Sequence, residues 1–161
     1  MPIYAPPVKD TRFVLDAVVR LDAYANLPGF EGATPDLVSA VLEEGGKFAA
    51  EVMAPLNQIG DAQGCTRHAD GSVTTPDGFK AAYEQFVAAG WPTLHAPTEF
   101  GGQGLPSAVA TAIGEYFCSA NHSFEMYHGL TTGAINSLLV KGTPEQQATY
   151  LPKMVEGTWT G

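Results

Sequence analysis

Basic residues are scarce in this chain of 161 residues: Lys and Arg together number 8, against 17 Asp and Glu, for a formal net charge of −9. No Lys/Arg run is present, so a phosphate backbone has nothing to bind, and an anionic membrane surface is disfavoured for the same reason. Long apolar runs are also missing; none approaches the 18 residues a membrane-spanning helix requires. The first residues, Met1-Pro2-Ile3-Tyr4-Ala5-Pro6-Pro7, lack the charged and apolar regions of a signal peptide. Only two cysteines occur, Cys65 and Cys118. Their wide spacing suits no metal motif, and a cytoplasmic chain with reduced thiols is the expectation. Strand patterns are nearly absent as well.

What is abundant is glycine and proline, 18 and 12 residues, with hydrophobic residues at 45%, enough for a packed core. Between Lys80 and Lys141 no basic residue occurs, and the only charges are Glu84, Glu99, Glu115 and Glu125. Ordinary surface helices carry more charge than this. That stretch is expected to be buried on more than one side, by this chain or by something beyond it.

Helical spacing begins after an extended Pro-rich start. Phe13, Ala17, Leu21 and Tyr24 share a face, with Asp10 or Thr11 as N-cap. Thr34-Pro35-Asp36 opens a second helix, since Thr caps, Pro fits the first position and an acid suits the dipole. Its stripe is Leu37, Val38, Val41, Leu42, Phe48, Ala49 and Val52, weakened by Gly45-Gly46, and Pro55 limits it to near Ala54. Asn57 to Thr74 reads as a loop with a possible hairpin at Asp70-Gly71. Thr75-Pro76-Asp77 repeats the helix start ahead of Phe79, Ala82, Tyr83, Phe86 and Ala89, and Gly90 ends that helix. After an irregular stretch to Leu105, helices are expected over Ser107–Ala120 and Ser123–Lys141. Gly129 and Gly133 sit inside the latter, where glycine costs stability unless something approaches closely. Thr143-Pro144-Glu145 opens a last helix, broken near Leu151-Pro152, and Thr158-Trp159-Thr160 reads as the start of a strand.

Several residue groups invite chemistry. Glu99-Phe100-Gly101-Gly102-Gln103-Gly104 precedes a helix like a phosphate loop, yet lacks the GK[ST] ending and the G-x-G-x-x-G spacing; a structural glycine turn is the plainer reading. His68, His95, His122 and His128 show no metal-ligand clustering. No nucleophile elbow is present, and Asn121-His122-Ser123 is a glycosylation sequon without meaning in a cytoplasmic chain. Glu115 or Glu125, if buried, would titrate abnormally; a helix-end or surface acid is the alternative. The residues alone thus give an acidic all-α domain without a complete active site.

Longer motifs carry a resemblance. Gly90-Trp91 followed by Ala96-Pro97-Thr98-Glu99-Phe100-Gly101-Gly102-Gln103-Gly104 resembles a segment of the N-terminal helical domain of the acyl-CoA dehydrogenase family. So do Gly142-Thr143-Pro144-Glu145-Gln146-Gln147, Tyr150-Leu151-Pro152-Lys153-Met154 and Gly157-Thr158-Trp159-Thr160-Gly161, in that order. The match runs from about Thr34 onward. Pro2, Tyr4, Ala5, Pro6, Asp10 and Arg12-Phe13-Val14-Leu15, with Ala54-Pro55-Leu56-Asn57 and Gly60-Asp61, resemble a longer bacterial subgroup. Its members include methylthiopropanoyl-CoA dehydrogenases and enzymes acting on fatty or aromatic acyl-CoAs.

The resemblance implies an all-α, five to six helix up-and-down orthogonal bundle that ends at the start of a missing β-domain. It implies an N-terminal extension with one helix (1–33), the helical domain (34–157) and the lead-in to the β-domain (158–161). It further implies FAD, desaturation of an acyl-CoA at Cα–Cβ by a glutamate base, electron transfer to an electron-transfer flavoprotein and a homo-oligomer at full length. The family's flavin-contacting T-E-P segment falls just beyond Gly161 and its catalytic glutamate lies in a C-terminal domain. No catalytic, flavin-binding or metal residue is therefore assigned in this chain. Met126, Gly129 and Gly133 match the family's acyl-pocket wall, with helix–helix packing as the alternative. A stand-alone helical interaction module and a flavin acyl-CoA oxidase are the competing functional readings.

Overall fold

The computed structural model describes residues 3–160. Met1, Pro2 and Gly161, on which the expected extended start and strand lead-in partly fall, lie outside the described residues. The chain folds as an all-α bundle. Its α-helices are α1 (Val8–Phe13), α2 (Pro35–Phe48), α3 (Ala54–Gln63), α4 (Phe79–Ala88), α5 (Ser107–Lys141) and α6 (Pro144–Val155). One short antiparallel hairpin, β1 (Thr66–Arg67) with β2 (Val73–Thr74), is the sheet structure among the described residues. It forms at Asp70-Gly71 as expected: the Asp70 carboxylate accepts from the Ser72 amide at 2.9 Å, and Gly71 takes φ 87°.

Two helix starts follow their capping chemistry. The Thr34 hydroxyl accepts from the Leu37 amide, and Thr143 with Gln146 completes a capping box. The third does not. Gln63 accepts from the Asp77 amide and donates to its carboxylate, Gly78 turns left-handed at φ 84°, and α4 begins only at Phe79. The same Thr-Pro-Asp triplet thus serves a turn when its first turn is claimed by another segment.

The first helix begins at Val8, ahead of the expected cap, and widens into a π-helical turn over Val14–Val19. That change of pitch rotates the face: Leu15 and Leu21 are buried, while Phe13, Ala17 and Tyr24 are exposed. A second π-helical turn, Ala49–Met53, joins α2 to α3. Pro55 therefore does not stop the helix; it sits in the first turn of α3, where a missing N–H costs little, and residues 57–63 are helical rather than loop. Leu37 of the expected stripe is exposed, and Met53 and Leu56 are buried instead. Pro152 likewise fails to break α6, because Leu151, Met154 and Val155 are buried on either side of it. Residues 158–160 form no strand; the amides of Thr158 and Trp159 both donate to the Lys153 carbonyl.

The core has two parts. The larger joins α2, α3, α4 and the first half of α5 around Phe48, Phe86, Phe117, Phe124 and Trp91, whose rings meet tilted or edge-on at 5.6–6.1 Å. Gly45 and Gly46 belong to this packing: a Cβ on Gly45 would fall 2.5 Å from Ile113 Cδ1, and one on Gly46 would fall 2.8 Å from Pro6. The smaller part packs Ile135 of α5 against Leu151, Met154 and Val155 of α6 and against Ala96.

Candidate functional site

The two halves of α5 meet at Asn121, the one residue inside the helix with non-helical backbone (φ −159°, ψ 91°). This is where the sequence predicts a break between two helices. The Asn121 side chain is buried; its amide donates to the Met53 carbonyl at 3.2 Å and its oxygen accepts from the Phe124 amide at 3.1 Å. The second half of α5 is therefore capped from within, and its direction is set by the π-helical turn that presents Met53.

The kink opens a cleft of about 370 Å³ between the two halves of α5, α4 and the turn after it. Its floor is apolar, with Phe86, Ile113 and Phe117. Its polar lining includes Trp91, His95, Glu125, His128, Thr132 and Asn136. Glu125 Oε2 and Trp91 Nε1 are buried without a hydrogen-bond partner. Burial pushes the Glu125 carboxyl up to about 7, and burial, with the nearby His95 as a smaller cause, lowers His128 to about 4. Burial lowers His95 also. His128 packs on the Phe86 ring at 5.6 Å and meets the Thr132 hydroxyl at 3.3 Å. The two histidines are thus held largely neutral near pH 7, while Glu125 divides between its neutral and ionised forms there. Of the two acids flagged by the charge-poor stretch, Glu125 is the half-buried one and Glu115 is exposed.

Met126, Gly129 and Gly133 lie on one face of α5 at helical spacing. All three are exposed, and a Cβ on either glycine would meet nothing within 4 Å. Gly129 also lines the cleft, whereas Met126 and Gly133 lie outside it. Leu130 and Val140 are open as well, at 67% and 73% exposure. So helix–helix packing within the described chain does not account for these glycines. The charge-poor stretch is buried by this chain over the first half of α5 and left largely bare on one side of the second.

Other candidates resolve as structure. In the glycine-rich segment, Gly101 and Gly104 take φ 89° and 65°, and a Cβ on Gly102 would collide with the Ala96 carbonyl. The amides of Gln103, Gly104 and Leu105 donate to Thr93, Ala96 and Leu94, so they fasten the turn and face no anion. Cys65 and Cys118 are unpaired and exposed. Among the described residues no cluster of metal-ligating side chains forms, and no helix is long and apolar enough to cross a membrane. The cleft itself is not legible in the sequence. The one signal toward it is the isolated Glu125 in a segment without cations.

Comparison with known proteins gives concordant matches. The family model for the acyl-CoA dehydrogenase N-terminal domain matches residues 39–158. The 3-methylmercaptopropionyl-CoA dehydrogenase of Ruegeria pomeroyi is 40% identical over 158 residues, covering 98% of this chain and 27% of that protein. The broad-specificity linear acyl-CoA dehydrogenase FadE5 of Mycobacterium tuberculosis is 28% identical over 148 residues, 89% of this chain and 24% of that protein. The acyl-CoA dehydrogenase IpdE1 of Mycolicibacterium smegmatis is 35% identical over 79 residues, 49% of this chain and 20% of that protein. The chain thus spans about a quarter of the length of the curated relatives it matches.

Proposed function

Since the chain belongs to the acyl-CoA dehydrogenase family through that family's N-terminal domain, we propose that it supplies one wall of the acyl site in an FAD-dependent enzyme that desaturates an acyl-CoA at Cα–Cβ. The observation that carries this reading is the bare glycine face of α5. Two helical glycines with open space above them each cost about 1 kcal/mol relative to alanine. That cost is rational where a ligand must approach the backbone. Met126, on the same face, is unbranched and fits irregular apolar ligands.

The flavin, when bound, takes the hydride. Neither of the two foremost clefts among the described residues fits it. The cleft between α2 and the turn after α4, about 510 Å³, is rimmed by Glu44 and Glu51 beside Lys47, and the cleft at the α5 kink contains Glu125. The one Lys or Arg lining them, Lys47, is paired with Glu44, whereas a pyrophosphate needs open cations or amides. No flavin contact and no catalytic base is assigned here. In this reading the electrons leave to an electron-transfer flavoprotein and the full-length enzyme is a homo-oligomer. A relative named for 3-methylmercaptopropionyl-CoA makes short acyl groups the first substrates to try.

The test is a chain-length profile of the full-length enzyme. Gly129→Leu and Gly133→Leu fill the bare face and are expected to lower kcat/KM for longer acyl-CoAs about 10-fold or more relative to short ones, with the melting temperature kept or raised. Absence of turnover with every acyl-CoA sinks the activity. An unchanged profile in both variants sinks the role of this face.

A further inference from the structure

We propose that the outer face of α1 and its π-helical turn is a contact between two copies of this chain, laid antiparallel across it. The wider pitch of the turn sets Phe13 and Val14 beside Ala17 and Val18, on the side away from the buried Leu15. All four are exposed, Phe13 and Val18 at 65% and 66%, and the exposed Tyr24 and Leu27 continue the patch. A helix that packs on the core through one side carries polar residues on the other, whereas this one is apolar on both. The strip also precedes residues 39–158, the part this chain shares with the family's N-terminal domain.

The charges beside the strip fit a second copy. Lys9, Asp10, Arg12, Asp16, Arg20 and Asp22 are all exposed and alternate in sign along the chain. Such alternation commonly marks a solvated helix laced by its own ion pairs. None of the six is paired in this way: among the described residues the one ion pair is Lys47 with Glu44. The string starts with a cation and ends with an acid, so read backwards it presents the opposite sign at each place. An antiparallel copy therefore sets Lys9 against Asp22, Asp10 against Arg20 and Arg12 against Asp16. Each pair forms twice, about a two-fold axis near Leu15. Laid parallel, each charge meets its own kind. The six charges also cancel, so the whole formal charge of −9 lies outside residues 9–22. Two copies repel through the rest of their surface and not through this segment. The apolar strip supplies the attraction and the order of the charges supplies the register.

The contact stands apart from the acyl-CoA chemistry and is tested by cross-linking in the full-length protein. Val14, exposed and next to the axis, is changed to cysteine, with Ala17→Cys as a second position. Both are made in a Cys65→Ser, Cys118→Ser background, since those thiols are exposed. Mild oxidation is expected to give a disulfide-linked dimer that the background protein does not give. Arg12→Asp and Asp16→Arg, each added to Val14→Cys, bring like charges together and are expected to lower the linked yield about 10-fold. Co-expressed under different tags, the two charge variants again oppose acid to cation across the axis. Linked heterodimer is then expected to return to within about 2-fold of the starting yield. That rescue separates a contact between copies from an ion pair along one helix, because neither variant holds such a pair within its own chain. Four results overturn the proposal: no linkage at either position, linkage indifferent to the charge variants, no rescue on co-expression, or a thiol at position 14 shielded from maleimide by another part of the same chain.

Discussion

Gly102 and Gly133 are chemically the same residue under opposite constraints. A Cβ on Gly102 would run into the Ala96 carbonyl, a backbone atom that cannot rotate away, whereas one on Gly133 would meet open space. Gly102→Ala is expected to destabilise by about 2 kcal/mol or more through forced backbone movement. Gly133→Ala is expected to stabilise by up to about 1 kcal/mol through helix propensity. Urea melts of both variants check the pair, and a destabilised Gly133→Ala would mean that the face is covered. Glu125 and His128 form a second contrast, this time in pH. The Glu125 carboxyl is raised from 4.5 to about 7, so its contribution to stability is full below about 4.5 and is lost as pH rises through 7. His128 is lowered from 6.5 to about 4, so its contribution is full above 6.5 and is lost as pH falls through 4. Their slopes oppose each other in the native chain, with His95 and Cys118 the other shifted groups close by. Glu125→Gln should leave stability rising between pH 4 and 6.5, and His128→Asn should leave it falling between 4.5 and 7. Melts across pH 4–8 decide, and profiles parallel to the wild type in both variants would contradict the burial of these groups.

The kink in α5 is a device of elements, because it joins three of them through one side chain. Asn121 ties the π-helical turn after α2 to the start of the second half of α5. Asn121→Ala removes both bonds at a fully buried position and is expected to cost about 2–3 kcal/mol and to reduce the helix signal over residues 123–141. Calorimetry and circular dichroism check it; a loss under about 0.5 kcal/mol would show that the kink is held by packing alone. How much of the elements could be read beforehand follows from range. The caps at Thr34 and Thr143, the turn at Asp70-Gly71 and the break near Asn121 depend on neighbours within a few positions, and they stand where expected. The misjudged features depend on distant partners. Thr75-Pro76-Asp77 loses its capping role to Gln63, fourteen residues away from Asp77. Pro55 and Pro152 sit inside helices because π pitch in one case and buried Leu151, Met154 and Val155 in the other outweigh the local penalty. The glycine face was visible as composition, but the orphaned Trp91 and Glu125 were not, since two residues so far apart share a cleft only through the kink.

For the molecule as a whole, what stands out is how the apolar surface is distributed. Met126, Leu130 and Val140 along the second half of α5 are 53–73% exposed, and Phe13, Val14 and Val18 near the start are 46–66% exposed. Apolar surface of this kind favours contact with another protein surface. The 161-residue chain alone should therefore self-associate in a concentration-dependent way, and Leu130→Glu with Val140→Glu should shift it toward monomer. Sedimentation velocity over a 100-fold concentration range checks this; a monodisperse monomer throughout would contradict it. The start of the chain carries one more consequence. Among its described residues up to Gly32 only Leu15 and Leu21 are buried, and it rests on α2 where Pro6 meets Gly46. Its amides should trade hydrogen for deuterium by opening of that segment alone, seconds to minutes into an exchange experiment, while those of α5 around Tyr116 and Phe124 wait for the whole fold to come apart. The molecule would then keep two clocks, and the fast one would slow when the bare side of the N-terminal helix is covered.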